Sequence, residues 1–267
     1  MATRTVVPFG PQHPVLPEPL HLDLVVEDET VVEAVPSIGF IHRGLEKLVE
    51  RSDFHEFTHI AERICGICSF IHSLTYCQGI ERLMQLEVPP RALYLRTVWS
   101  ELSRVHSHLL WLGLTADAMG FESLFMHLWR LRERVLDIIE ETTGGRVIFG
   151  AIKIGGVRKE VSDEKLGEIS ERLESLGRET KDVTTVLIHD YSVRHRLKGL
   201  AVLTGEEAYA LGAVGPTLRA SGVAVDMRQL GYAAFDRVSF TPITEAAGDC
   251  YARCVVRIRE ALQSALY

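Results

Sequence analysis

Apolar residues recur every three or four positions over three long stretches of this chain, the spacing that lines one face of an α-helix. Leu95, Val98, Leu102, Val105, Leu109 and Leu112 make the longest run, which follows a break at Val88-Pro89-Pro90 and ends at Met119-Gly120. Leu124, Leu128, Leu131, Val135 and Ile138 repeat the spacing as far as Gly144-Gly145, a helix stop. Ser162, with Asp163 and Glu164 behind it, reads as the N-cap of a third helix striped by Leu166, Ile169, Leu173, Leu176, Val183 and Leu187. Residues 44–61 and Ser69 to about Leu86 also read as helical. Thr241 as N-cap and Pro242 at the first position predict a further helix, carrying Ile243, Ala247, Cys250, Cys254, Ile258 and Leu262 on one side and running to Tyr267. His106 and His108 lie off their helix's stripe and read as satisfied surface or interface residues.

At the N-terminus the period changes to two. Leu20 to Glu27, a turn at Asp28-Glu29, and Thr30 to Val35 predict a hairpin. The expected fold is mainly α within the α+β class: one domain over 1–267, with a small antiparallel β-rich region at 1–40 and a long-helix bundle over 41–267. Residues 146–157, rich in glycine and β-branched side chains, predict a loop or short strand and carry neither phosphate-binding glycine pattern. Residues 190–241 are the least regular, and Asp226-Met227-Arg228 and Phe235-Asp236-Arg237 carry charges placed to face a partner. No internal repeat or low-complexity segment interrupts the pattern.

A net charge of −7 without a basic run argues against nucleic acid as a partner. No apolar stretch approaches the roughly twenty residues of a membrane span, so a membrane link is expected through partner subunits. The N-terminus lacks the apolar core of a secretory signal. Five cysteines without a disulfide framework suit a reducing cytoplasm.

The chemistry concentrates in Arg63-Ile64-Cys65-Gly66-Ile67-Cys68-Ser69-Phe70-Ile71-His72. A CxxC brings two thiolates within reach of one soft metal ion, and Gly66 lets backbone approach closely. If Cys68 opens a helix, His72 falls one turn along on the same face. Arg63 favours the thiolate forms. Cys77, Cys250 and Cys254 read as core residues. His55-Glu56-Phe57-Thr58-His59 is a literal HExxH, which on a helix gives the zinc-protease arrangement, but Glu62 lies too close to serve as its third ligand. On residues alone Glu18 reads as a solvated loop carboxylate, Glu46 as a salt-bridge partner of Arg43 or Lys47, and His72 as a buried helix histidine.

The pattern RxCGxCxxxH resembles the N-terminal metal-binding motif of nickel–iron hydrogenase large subunits. Arg43-Gly44-Leu45-Glu46 resembles the RGxE segment upstream of it. Pro8 to Pro14 and Gly39 to Gly44 resemble the energy-converting, membrane-associated branch, which is related to the quinone-site subunit of respiratory complex I. The latter lacks both cysteines, so Cys65 and Cys68 place the chain on the hydrogenase side. The resemblance implies a nickel–iron centre whose iron carries cyanide and carbon monoxide, with Cys65 a terminal nickel ligand and Cys68 a bridging one. It further implies Glu18 as the proton-transfer carboxylate, His72 hydrogen-bonding near the bridging sulfur, and Glu46 as a ligand to a structural magnesium or iron. The resemblance implies, too, that electrons pass to an iron–sulfur cluster in a small partner subunit and that the complex sits at the inner face of the cell membrane through membrane subunits.

The family binds nickel with two CxxC pairs, and this sequence has one; the abrupt end of its last helix suggests further C-terminal chain. Three readings follow: a membrane-associated hydrogenase large subunit oxidising hydrogen or reducing protons, a non-catalytic complex I-like electron-transfer subunit, and a zinc hydrolase using His55, Glu56 and His59.

Overall fold

The computed structural model describes residues 4–14, 16 and 18–266, and helix accounts for 56% of the chain against 10% strand, as the mainly α pattern predicts. The chain divides into two compact units, Met1–Asp53 and Phe54–Tyr267.

In the first unit β1 (Arg4–Phe9), β2 (His21–Glu27) and β3 (Thr30–Ser37) form an antiparallel sheet in that order. The expected hairpin is β2–β3. Its turn residues Asp28 and Glu29 both adopt positive φ, 46° and 67°, which matches the right-handed twist of the flanking strands. β1 is an addition: Arg4-Thr5-Val6-Val7-Pro8-Phe9 does not alternate, and Pro8 confines it to the edge it occupies. Arg4 meets Glu27 across the pair at 3.3 Å. A five-residue helix, α1 (Leu45–Val49), follows Gly44 in the left-handed region.

The helix expected over 44–61 is interrupted. α2 (Phe57–Ala61) is a separate single turn, because Ser52 turns its hydroxyl back to the Leu48 carbonyl at 2.9 Å and helical pairing lapses before Phe54. α3 (Ser69–Met84) begins at Cys68 as expected and ends on Gln85 at φ 54°. α4 (Pro90–Ala118) starts with Pro90 in its first turn, where a missing N–H costs nothing. α5 (Glu122–Thr143) stops at Gly144, φ 88°. β4 (Ile152–Lys153) and β5 (Gly156–Val157) form the short strands of the glycine-rich stretch. α6 (Asp163–His189) is capped by Ser162, whose hydroxyl accepts from the Lys165 N–H at 3.2 Å. Three short helices, α7 (Tyr191–Leu197), α8 (Gly205–Ala210) and α9 (Gly215–Ala220), and two 3-10 turns precede α10 (Cys250–Ser264).

That last helix starts later than Thr241-Pro242 predicts. The N–H of Glu245 is taken by the Arg219 carbonyl (3.1 Å) and that of Gly248 by the Ala220 carbonyl (2.9 Å), which ties the segment to the end of α9. Asp249 supplies the cap instead, accepting from the Ala252 N–H at 2.7 Å. The expected end at Tyr267 lies outside the described residues.

α4 is the central helix and is buried around most of its circumference. Its stripe packs with Leu128, Leu131, Val135 and Ile138 of α5, Ile169, Leu173 and Leu176 of α6, and Ile258 of α10 in one core. This encirclement corrects the reading of His106 and His108 as surface groups: they are 0% and 6% exposed. His108 donates through Nε2 to Glu260 at 3.0 Å, and Glu260 also accepts from Arg219 Nε at 2.5 Å. Asp226 and Arg228, expected to face a partner, are buried too. Arg228 pairs with Asp226 at 2.8 Å and with Glu101 of α4 at 3.2 Å. Further along α4, Arg96 meets Glu81 of α3 through two hydrogen bonds of 2.9 and 2.6 Å.

Candidate metal centre

The Cys65–Cys68 loop joins α2 to α3, and α3 starts immediately after the second thiol. One helical turn carries His72 back over it, so that His72 Nε2 lies 3.4 Å from Cys68 Sγ. Donor atoms of Cys65, Cys68 and His72 all lie within 4.8 Å of one another, and among the described residues no other His, Cys, Asp and Glu side chains converge in this way. The N–H groups of Ile67 and Cys68 both point at Cys65 Sγ, at 3.4 and 3.5 Å. Burial lowers the His72 pKa, so its ring is neutral and free to donate or ligate. Two sulfurs and a neutral imidazole are a donor set suited to a soft or borderline metal ion.

The loop is fastened from beneath. Glu62, 1% exposed, accepts from the Gly150 N–H at 2.9 Å and from Ser73 Oγ at 3.1 Å. Burial raises its pKa against the pull of those bonds. Ser69 Oγ donates to the Val147 carbonyl at 2.5 Å. Two bonds therefore anchor the ends of the metal motif to the loop that follows α5.

Arg63 is exposed, and its Nη1 donates to the His59 carbonyl at 2.6 Å, closing α2. Glu18 and Glu46 belong to the first unit. Glu18 is exposed in the β1–β2 connection. Glu46, also exposed, faces His42 Nε2 at 3.5 Å, while Lys47 pairs with Glu50 instead. The HExxH does not form its helical arrangement: His55 and Glu56 precede α2, and His55, Glu56 and His59 are all exposed. Cys77 and Cys254 are core thiols, 0% and 1% exposed, pushed up by burial to about 11 and about 12.

Sequence reasoning missed Glu62 as the anchor and His106 as a buried residue of the central helix. His106 stands four residues after Leu102 and three before Leu109. A central helix buried all round makes that position interior, and this spacing was the available clue.

Residues 43–115 match the nickel-dependent hydrogenase family, and residues 118–266 match the 49-kDa subunit of respiratory-chain NADH dehydrogenase. The chain is 37% identical over 264 residues to a subunit of the F(420)H(2) dehydrogenase of Methanosarcina mazei, covering 98% of this chain and 71% of that protein. It is 36% identical to the membrane-bound hydrogenase subunit alpha of Pyrococcus furiosus (95% of this chain, 61% of that protein). It is likewise 36% identical to the carbon monoxide-induced hydrogenase of Rhodospirillum rubrum (99% and 73%). The chain thus spans from three-fifths to three-quarters of the length of these relatives. Among its described residues no helix is long and apolar enough to cross a membrane. With a match above one-third identity along almost its whole length, the chain belongs to the family that unites nickel–iron hydrogenase large subunits with the 49-kDa subunits of respiratory-chain NADH dehydrogenase.

Proposed function

We propose that this chain is the large subunit of a membrane-associated nickel–iron hydrogenase, interconverting hydrogen with protons and electrons. The observation that carries the reading is the convergence of Cys65, Cys68 and His72 in a chain of this family. Cys65 and Cys68 would hold the nickel–iron centre through their thiolates. When bound, that centre supplies the redox chemistry that takes hydrogen apart. His72 keeps a hydrogen bond on the Cys68 sulfur, tuning how much charge the thiolate gives to metal. By the resemblance to the family, Glu18 would receive and return the proton, Arg63 would favour the thiolate forms, and Glu46 would ligate a structural magnesium or iron. Electrons leave to an iron–sulfur cluster in a small subunit, and membrane subunits hold the assembly at the cytoplasmic face.

A second reading, a complex I-like subunit without hydrogen chemistry, is favoured by the match of residues 118–266 to the 49-kDa subunit. Elemental analysis of the complex, purified anaerobically from its own host, separates the two. Nickel and iron in near-equal amounts, lost together in Cys65→Ser along with hydrogen-dependent dye reduction, are the expected result. A complex without nickel overturns the hydrogenase reading. Zinc alone, with an activity destroyed by Glu56→Gln, would establish the hydrolase instead.

A further inference from the structure

α7 carries charge in an arrangement unlike that of the helix before it. On α6, residues three or four apart have opposite signs, as in Lys165–Glu168 and Glu174–Arg178. At α7, Arg194 and its C-cap Lys198 stand four apart with the same sign, and among the described residues neither meets a carboxylate. Asp190, the nearest acid in sequence, is engaged in the helix cap, where its Oδ1 accepts the Val193 N–H at 2.9 Å. His189, Tyr191, Arg194, His195 and Lys198 together line a surface hollow of about 670 Å³. Each of these side chains can donate a hydrogen bond, and none is acidic. Tyr251 of α10 pins both rims of the hollow. Its hydroxyl donates to the Ile188 carbonyl at 2.9 Å, next to His189, and its ring centroid lies 5.0 Å from the Lys198 ammonium. Just beyond Lys198, the Gly199 N–H donates to Asp249 at 2.9 Å. The Tyr191 and His195 rings stack, 5.7 Å apart and 7° from parallel.

We propose that this hollow binds the phosphate of a phosphate monoester, held by Arg194 and Lys198 and completed by N–H groups of His189 and His195. Two fixed positive charges without a counter-charge call for about two negative ones. A phosphate monoester brings roughly 1.5 to 2 at neutral pH, whereas a carboxylate brings one. The guanidinium fork meets two phosphate oxygens at once, and the ammonium adds a point charge. Like charges at this spacing destabilise a helix, and a dianion seated between them removes that cost. The hollow shares no residue with the Cys65–Cys68 loop, so the proposal is independent of which metal chemistry the chain performs.

Two titrations of the full chain present the same group from different sources. One uses soluble glycerol 3-phosphate, followed by calorimetry. The other uses phosphatidylcholine vesicles with and without phosphatidic acid, followed by co-sedimentation. Saturable binding is expected, and the tighter of the two names the source as a soluble ester or a lipid headgroup. Acetate should bind at least about tenfold more weakly than glycerol 3-phosphate. Arg194→Gln combined with Lys198→Gln should lower the affinity about tenfold or more. Arg130→Gln combined with Lys159→Gln removes the same charge from exposed positions elsewhere and should leave the affinity unchanged. Wild-type protein that binds neither probe overturns the proposal. So does wild-type affinity in the Arg194/Lys198 variant, or an equal loss in the control pair, which would make net charge the cause. Acetate bound as tightly as the phosphate overturns it too, because the hollow would then not select a dianion.

Discussion

Glu260 shows how one buried charge makes the protein's stability depend on pH. Burial alone would push this carboxyl up, but bonds from His108 and Arg219 outweigh burial and hold it at about 2, against 4.5 when unpaired. Asp226, clamped by Arg228, is likewise held at about 2. A carboxylate with a depressed folded pKa stabilises fully above its unfolded pKa and loses that contribution as pH falls through the folded one. His108, whose pKa burial lowers, adds in the same direction, since the unfolded chain takes up its proton first. Urea unfolding should therefore show stability falling from pH 4.5 toward pH 2, by roughly 3 kcal/mol for Glu260 alone. A flat profile between pH 5 and pH 3 would contradict the pairing. None of this network was legible in the sequence, because its members are separated by up to 152 residues. The metal motif was legible, because Cys65, Cys68 and His72 are brought together by a single loop and one helical turn. Its anchors, Glu62 to Gly150 and Ser69 to Val147, join residues that only the folded bundle makes neighbours.

Among the elements, α4 and α5 pack tightly at Gly113. A Cβ there would stand 2.4 Å from the Trp129 ring, so the two helices are spaced for a residue without a side chain. Alanine improves helix propensity by about 1 kcal/mol, whereas overpacking costs about 1–3 kcal/mol. Gly113→Ala should thus lower stability by about 1 kcal/mol and the melting temperature by about 3 °C, read by circular dichroism. A more stable variant would mean that Trp129 swings aside freely. The helices themselves were largely readable, since stripes, the Ser162 cap and the Gly144 stop are local properties. The start of α10 was not, because Thr241-Pro242 is a sound local start that loses to backbone bonds reaching from α9. β1 was missed because an edge strand containing proline has no alternation to detect.

At the scale of the molecule, the apolar core lies in the Phe54–Tyr267 unit, and Val25 is the one buried apolar residue among the described residues of the first. The fold class was legible from periodicity, but that imbalance was not, since β3 carries as many valines as a buried strand. Expressed alone, residues 54–267 should keep their helical spectrum and a cooperative melt, while residues 1–53 should give neither. A non-cooperative melt of the larger piece would show that its core needs the sheet. Within that unit α4 is keyed at four levels: Arg96 to α3, Glu101 to the Asp226–Arg228 turn, His106 to α5 and His108 to α10. A slip of one turn, about 5.4 Å, would strand all four groups without partners in the interior. This helix therefore cannot act as a piston. Any mechanical signal crossing the bundle has to move it as a rigid body or pass along the loops at its surface.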